Sequence, residues 1–165
     1  MQKVHILESR LVSNNQMSTI TTVKNKLGYF NRKIVVPGDK SLSIRWVLFA
    51  SLGEGISKAK NLLMSEDVIA AINAIRKLGI KVKITKDETK IFGKGLNGYK
   101  YKKKIIINAQ NSGTLGRLIL GLLIDTPYKI RIIGDKSLSK RDFKRVSVPL
   151  SKFGAKFKLN KNKNL

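Results

Sequence analysis

The sequence contains no cysteine and only one histidine, His5, among its 165 residues. The absence of thiols excludes disulfide bonds, thiolate metal ligands and a cysteine nucleophile. A single histidine in a polar leader argues against a catalytic triad or a histidine-based metal centre. No apolar run approaches the roughly 18 residues of a membrane span, and the first 30 residues lack the apolar core of a signal peptide. We therefore expect neither a metal nor a membrane partner.

Acidic residues are also scarce, since 10 Asp and Glu face 34 Lys and Arg, for a net charge of +24. One interpretation is an anionic partner such as nucleic acid. The other is a lysine-rich coding bias combined with a local anion site. Lysines outnumber arginines 26 to 8 and occur in every segment, whereas nucleic-acid readers rely on arginine for bidentate contacts. We prefer the second interpretation and expect no nucleic-acid partner.

The stretch from residue 33 to residue 45 predicts a strand, a tight turn and a helix. Three apolar residues, Ile34–Val36, follow Lys33 and predict a short buried strand, which Pro37-Gly38 ends. The start of the helix then carries Lys40, Ser41 and Arg45, two cations and a hydroxyl. Because the first turn of a helix offers free backbone N–H groups and a positive dipole end, this corner is a candidate phosphate or carboxylate site. Three residues could cap the helix: Asp39, Ser41 and Ser43.

The same plan recurs later in the chain, which predicts an α/β (α+β) protein built from βαβαββ repeats. The first unit covers residues 31–98 and the second covers 99–165, where the last strand is lacking. The segments 77–81 (KLGIK) and 152–156 (KFGAK) mark equivalent helix ends in the two units. We accordingly expect a strand over Ala155–Leu159 that matches the one over Ile80–Ile84.

The two ends of the chain carry weaker patterns. Residues 1–30 are interpreted as a loose N-terminal tail or leader, with a transit peptide as the alternative and Met17 as a possible second start. Residues 160–164 predict a closing hairpin turn, after which only Leu165 remains. We interpret the sequence as a piece of a longer protein, against the alternative of a complete domain with a basic tail.

The second unit repeats the polar turn after a buried strand. Residues 111–114 (NSGT) follow the strand over residues 105–107, and Arg117 lies one turn into the next helix. Residues 129–133 predict the next strand, and Ser139–Asp142, which includes Arg141, predicts the start of the last helix. Since equivalent turns of a repeat fall at the same end of a fold, we expect Lys40, Arg117 and Arg141 to converge with backbone amides. Such a cleft would bind a doubly or triply charged substrate, because arginine grips phosphate or carboxylate in a bidentate fork.

Four motifs in order resemble the 5-enolpyruvylshikimate-3-phosphate synthase family. They are residues 38–45 (GDKSLSIR), 65–68 (SEDV), 111–114 (NSGT) with 117–118 (RL), and 134–141 (GDKSLSKR). The resemblance covers about residues 30 to 165. It implies the first two of the six βαβαββ units of the enolpyruvyl transferase inverse α/β barrel-like fold.

The resemblance also implies an activity, which is transfer of the enolpyruvyl group of phosphoenolpyruvate to the 5-hydroxyl of shikimate 3-phosphate, with release of phosphate. It implies no cofactor, a monomer at full length, and a cytoplasmic enzyme, or a plastid one if the leader is a transit peptide. Family members carry their proton-transfer acids in later units, so no catalytic residue is assigned here and the chain alone is expected to be inactive. The substrate-binding residues implied are Lys40 for both substrates, Ser41 and Arg45 for the shikimate phosphate, and Asn111, Gly113 and Arg141 for phosphoenolpyruvate, with Arg117 beside them.

Three positions bear on how far the resemblance carries. Asp142 follows Arg141 where the family usually has proline, which puts a negative charge beside a proposed anion ligand. Ser41 and Lys136 stand where the related UDP-N-acetylglucosamine enolpyruvyl transferase usually has asparagine and, nearby, cysteine, so we prefer the shikimate branch. The sister transferase, a basic nucleic-acid-binding α/β module and a non-catalytic remnant remain as alternatives.

Overall fold

A computed structural model describes residues 7–13, 16–22, 28–29, 31–101 and 104–158. The chain divides into two compact units, Met1–Val35 and Val36–Leu165. In the first, strand β1 (Leu7–Ser13) pairs antiparallel with strand β2 (Gln16–Thr22). The sequence pattern did not indicate this hairpin, and the interpretation of residues 1–30 as an N-terminal tail or leader stays a prediction. The run from Thr19 to Thr22 is entirely β-branched, a composition that favours strands even without clear alternation.

The unit Val36–Leu165 opens with two helices laid on a small antiparallel sheet. Its first elements are α1 (Lys40–Leu52), β3 (Glu54–Ala59), α2 (Glu66–Lys77), β4 (Lys81–Ile84) and β5 (Thr89–Lys94). Helix α1 contacts both helix α2 and strand β5, and the sheet order is β3-β5-β4. Residues 85–88 join β4 to β5. Ile91 of β5 is buried on the helix side, and a side chain at Gly93 would meet the Gly53 and Ala50 carbonyl oxygens.

The remaining elements are built around a parallel pair of strands. Strand β6 (Lys104–Asn108) runs parallel to strand β7 (Lys129–Ile133), so both strands end at the same edge. Helix α3 (Gly113–Leu122) connects them, and a single 3₁₀ turn (Leu138–Lys140) precedes helix α4 (Lys144–Lys152). The last helix was expected to begin at Ser139. It begins five residues later, because the 3₁₀ turn and an extended Arg141 (φ −78°, ψ 143°) intervene.

Two predicted strands are wrong within the described residues. Residues 31–39 form no strand, and Ile34, Val35 and Val36 are 66–83% exposed rather than buried. Residues 155–158 of the predicted Ala155–Leu159 strand are also irregular, and Leu159 and the turn at 160–164 lie outside the described residues. Both segments lack a paired strand in the described part of the chain. Strand β4, in contrast, takes its hydrogen bonds from β5, and without such a partner an apolar run has no ladder to join.

The starts of α1 and α3 are capped in the same way, which supports the repeat. The Asp39 Oδ1 atom accepts a hydrogen bond from the Leu42 amide at 2.7 Å. The Ser112 hydroxyl accepts one from the Leu115 amide at 3.3 Å. Asp39 is therefore the cap of α1 among the three candidates, and both helices begin with an N-cap bond across three residues.

The ends of α2 and α4 are also equivalent. Gly79 and Gly154 both have positive φ angles, +85° and +91°. The amide of the following residue bonds back five positions in each case, Ile80 to the Ile75 carbonyl at 3.1 Å and Ala155 to the Leu150 carbonyl at 3.3 Å. This is the Schellman helix end, which needs a left-handed residue and hence favours glycine. The repeat predicted from the two KxG segments is visible in these backbone bonds.

One hydrophobic core joins the helices and the sheets of the unit Val36–Leu165. It contains side chains of α1, α2 and α3, of the sheets, and of the segment that leads into α4. Helix α3 contacts α1, α2 and α4. The largest fully buried members of the core are Ile44, Leu48, Ile72, Ile75, Leu78, Ile91, Ile107, Leu115, Ile119, Leu138 and Phe143.

Candidate anion-binding site

The turns that follow β6 and β7 lie side by side at one edge of the parallel sheet. The Ala109 amide donates to the Ile133 carbonyl at 2.8 Å, and the Asp135 amide donates to the Gln110 carbonyl at 2.8 Å. Gln110 has a φ of +51°, a left-handed conformation that turns the chain sharply toward α3. These backbone bonds bring the start of α3 next to the segment that carries Arg141.

Two guanidinium groups converge on Gly113, the first residue of α3. A Cβ atom placed on Gly113 would lie 2.7 Å from Arg141 Nη1 and 2.9 Å from Arg117 Nη1. The two cationic nitrogens therefore share one small volume beside the helix N-terminus. Glycine leaves this volume open, whereas any side chain would push the guanidinium groups aside.

Each of these arginines is held by an uncharged partner. Arg141 Nη2 donates to Asn111 Oδ1 at 2.8 Å, and Arg117 Nη2 donates to the Asp142 carbonyl at 3.3 Å. The ion pairs within the described ranges involve other residues, so neither guanidinium is neutralised by a carboxylate there. Because both Nη1 atoms lie within 3 Å of the same point, the two like charges repel each other. A bound anion would remove that repulsion.

The backbone adds further donors at the same place. The amides of the first turn of a helix have no intrahelical acceptor, and the Ser112 hydroxyl takes up only that of Leu115. The amides of Gly113 and Thr114 thus remain available beside the two guanidinium groups. Amide dipoles together with planar bidentate cations fit the oxygens of a phosphate or a carboxylate.

The corner at the start of α1 forms a second cationic group. Lys40 Nζ lies 3.2 Å from Asp67 Oδ2, which is in the first turn of α2. Arg45 Nη1 donates to the Ser41 carbonyl at 3.2 Å, so the arginine folds back along its own helix. Within residues 31–101 and 104–158, no hydrogen bond or ion pair joins Lys40, Ser41 or Arg45 to the Gly113 corner. The convergence of both corners in one cleft stays a prediction.

The loop before α1 is fixed by its neighbour rather than by a strand. A Cβ at Gly38 would clash with the Asn61 carbonyl oxygen, and Asn61 Nδ2 donates to the Val36 carbonyl at 3.1 Å. The Ser43 hydroxyl accepts from the Leu63 amide at 3.1 Å. These contacts hold the 36–43 corner against the loop that leads into α2, where Asp67 lies.

Sequence reasoning missed two features of the site. Asp67 lies in the first turn of α2, where an acid suits the positive helix end, yet its carboxylate also pairs with Lys40. Asp142 was expected to place a negative charge beside Arg141, and its carboxylate accepts from the amide of Lys144, the first residue of α4, at 2.8 Å. The local sequence does carry a signal for this bond, because an aspartate side chain often accepts from the backbone amide two residues further on.

Metal and membrane features are absent from the part of the chain that the structure describes. No group of three or more metal-capable side chains occurs there. No described helix has the length and apolarity needed to cross a membrane.

Comparison with known proteins assigns the family. The family model for EPSP synthase (3-phosphoshikimate 1-carboxyvinyltransferase) matches residues 24–165. The chain belongs to the EPSP synthase family. It is 43% identical over 125 residues to a 3-phosphoshikimate 1-carboxyvinyltransferase of Bacillus cytotoxicus. The matched segment covers 76% of this chain and 29% of the relative. A namesake from Leuconostoc mesenteroides is 41% identical over 133 residues, or 81% of this chain and 30% of the relative.

Solved EPSP synthase structures share the fold. The enzyme from Acinetobacter baumannii matches with a TM-score of 0.74 and 34% identity, over 80% of this chain and 30% of that one. The family resemblance and the mixed α/β fold class expected from the motifs are confirmed. The chain spans about 30% of the length of the EPSP synthases that it matches. The unit boundaries at 31–98 and 99–165 stay a prediction.

Proposed function

We propose that this chain supplies part of the two substrate sites of a 3-phosphoshikimate 1-carboxyvinyltransferase. The reaction transfers the enolpyruvyl group of phosphoenolpyruvate to the 5-hydroxyl of shikimate 3-phosphate and releases phosphate. The observation that carries the proposal is the pair of guanidinium groups, of Arg117 and Arg141, that lie next to Gly113 and the free amides of α3. No described carboxylate neutralises either group. Such a concentration of cations and amide donors suits a phosphorylated acid.

The chemistry accounts for such a concentration of positive charge. Both substrates are anions, so bringing them together requires that cations and amide dipoles offset their repulsion. Negative charge also develops on the departing phosphate. In the proposal Asn111, Gly113, Arg117 and Arg141 surround phosphoenolpyruvate.

The α1 corner holds the other substrate in this proposal. Ser41 and Arg45 contact the shikimate phosphate, and Lys40 reaches both substrates. The Asp67 carboxylate keeps the Lys40 ammonium at the N-terminal edge of α1 and α2. Because the Lys40 side chain is 55% exposed, a substrate can reach it without displacing the core.

A chimeric enzyme tests the proposal. The residues of this chain replace the matched 125 residues of the Bacillus cytotoxicus relative, and the chimera is assayed for phosphate release from phosphoenolpyruvate plus shikimate 3-phosphate. Activity that depends on both substrates is expected, together with growth of a bacterial strain that lacks its own enzyme on medium without aromatic amino acids. A folded chimera with neither property would overturn the proposal.

Two further measurements separate the alternatives. UDP-N-acetylglucosamine should not replace shikimate 3-phosphate in the chimera, and if it does, the sister transferase is the better assignment. The isolated 165-residue chain should bind phosphoenolpyruvate without turning it over. Phosphate release from both substrates by the isolated chain would refute that expectation.

A further inference from the structure

The three residues Arg141, Asp142 and Phe143 are connected to both cations at Gly113. Arg141 supplies one guanidinium group directly. The Asp142 carbonyl accepts from Arg117 Nη2 at 3.3 Å. The Arg117 Cζ atom lies 5.3 Å from the centroid of the Phe143 ring, within range of a cation–π contact.

Phe143 is held rigidly enough to serve as a platform. Its side chain is fully buried, and a Cβ on Gly116 would lie 3.3 Å from its Cζ atom. Gly116 thus leaves room for the ring one residue before Arg117 on α3. A larger residue at that position would meet the ring and compete for its place.

The Arg117 side chain is itself partly withdrawn from water. Its Nε atom is buried and has no hydrogen-bond partner within the described residues, while its Nη1 atom reaches the volume beside Gly113. A buried, unpaired N–H costs free energy. The aromatic face and the Asp142 carbonyl offset part of this cost and fix the direction of the guanidinium plane.

We infer that Phe143 is a positioning residue for Arg117, acting with the Asp142 carbonyl. The segment 141–143 thereby fixes the positions of both cations at Gly113. It carries Arg141 itself, and it contacts Arg117 through Asp142 and Phe143. The identity of the anion that these cations would bind, a phosphorylated acid, rests on the proposed function. Movement of this segment changes both guanidinium positions together, so the spacing of the two cations is coupled to one short piece of backbone.

The test uses the whole chain labelled with ¹⁵N at its eight arginines. The Nε–H signal of Arg117 is identified by its loss in an Arg117→Lys variant, and its solvent exchange is compared between the native chain and Phe143→Leu. Exchange should be faster in the variant by about tenfold or more, since the ring no longer covers the group. The Phe143→Met variant, which also keeps an apolar side chain but no ring, gives a second reading if the leucine variant does not fold.

Ile107→Val serves as the matched control, because Ile107 is fully buried in β6 and has no described polar contact with Arg117. The control should lower thermal stability and leave the Arg117 exchange rate unchanged. Unchanged Arg117 exchange in both Phe143 variants, with lowered stability alone, would overturn the inference and leave Phe143 as a core residue.

Titration with inorganic phosphate distinguishes this inference from the proposed function. In the native chain the Arg117 and Arg141 signals should shift together, at lower phosphate concentration than the exposed Arg145. The Phe143 variants should weaken that binding by about threefold to tenfold, the usual range for a cation–π contact. If exchange at Arg117 responds to Phe143 but phosphate shifts Arg117 no more than Arg145, the positioning role holds and the proposed ligand fails.

Discussion

The Lys40 ammonium lies 3.2 Å from the Asp67 carboxylate and joins the first turns of α1 and α2. The two residues are 27 positions apart in the sequence and meet because α1 packs on α2. The carboxylate side chain is 20% exposed and the lysine 55% exposed. Asp67 therefore orients Lys40 without enclosing it, which leaves the ammonium open to a second, anionic partner.

Replacing Asp67 with asparagine should separate stability from binding. A partly exposed ion pair contributes about 0 to 1 kcal/mol, so the free energy of unfolding should change by no more than that. In the chimera the Asp67→Asn variant should raise the KM for the substrates that Lys40 contacts, because the ammonium loses its anchor. Urea unfolding and steady-state kinetics measure the two effects. A loss of several kcal/mol with an unchanged KM would assign Asp67 to the fold instead.

Gly113→Ala should reduce anion binding while the fold survives. The added methyl would lie within 3 Å of two flexible guanidinium ends, and these can move aside at little cost to the core. The phosphate affinity of the chain, and kcat/KM of the chimera for phosphoenolpyruvate, should fall by about tenfold or more, since both cations leave the site. Phosphate titration followed at the arginine signals checks the result.

Gly121→Ala is the matched control on the same helix. No atom lies within 4 Å of a Cβ placed there, and alanine is favoured over glycine inside a helix by about 1 kcal/mol. This variant should therefore raise the unfolding midpoint and leave phosphate affinity unchanged. Equal losses of affinity in both glycine variants would show that helix α3, rather than the space beside Gly113, controls binding.

The sequence predicted several elements of this fold at the correct positions, above all the helix ends, whose hydrogen-bond partners are close in the chain. Strand β7 has its predicted bounds, Lys129 to Ile133, and the Schellman ends at Gly79 and Gly154 follow from the repeated KxG segments. The apolar run at residues 34–36 failed as a strand because strand formation depends on a partner that no local pattern can supply. The same reason applies to residues 155–158.

The candidate site was predictable in its residue types but not in its contacts. A glycine-containing turn followed by arginine indicates an anion site, and Gly113, Arg117 and Arg141 do come together. The pairing of Lys40 with Asp67 and the placement of Arg117 on Phe143 depend on how helices pack. Packing is set by the whole core, so a linear motif does not reveal which neighbour each cation receives.

A half-buried tyrosine that bonds to α1 gives a prediction at alkaline pH. Burial raises the pKa of the Tyr99 hydroxyl, an effect partly offset by its hydrogen bond with Ser51, whose oxygen lies 2.7 Å away. Because the folded pKa exceeds the ordinary value near 10, this group contributes stability in full below that value. The contribution is lost as the pH rises through the folded pKa.

The loss should appear as a fall in unfolding free energy above pH 10 that is smaller in a Tyr99→Phe variant. Tyrosinate absorbance should show one hydroxyl that ionises later than the others in the native chain and not in the variant. Identical stability slopes above pH 10 in the two proteins would mean that Tyr99 ionises as freely as an exposed tyrosine.

Arg141 should be irreplaceable by lysine at its position, even though the charge is kept. Its guanidinium group contacts Asn111 Oδ1 through Nη2 while Nη1 faces the volume beside Gly113. A single ammonium has no rigid fork and cannot hold both directions at once. Arg141→Lys in the chimera should therefore lower kcat/KM for phosphoenolpyruvate by about tenfold to a hundredfold, in keeping with about 1.5–3 kcal/mol for a charged hydrogen bond.

Arg145→Lys is the matched control, because Arg145 lies four residues further along and is exposed on α4. It makes the same substitution of an ammonium for a guanidinium group and should leave kcat/KM within about twofold. If both variants lose activity alike, the loss reflects the local fold of the 141–145 segment, and the bidentate role of Arg141 would have to be abandoned.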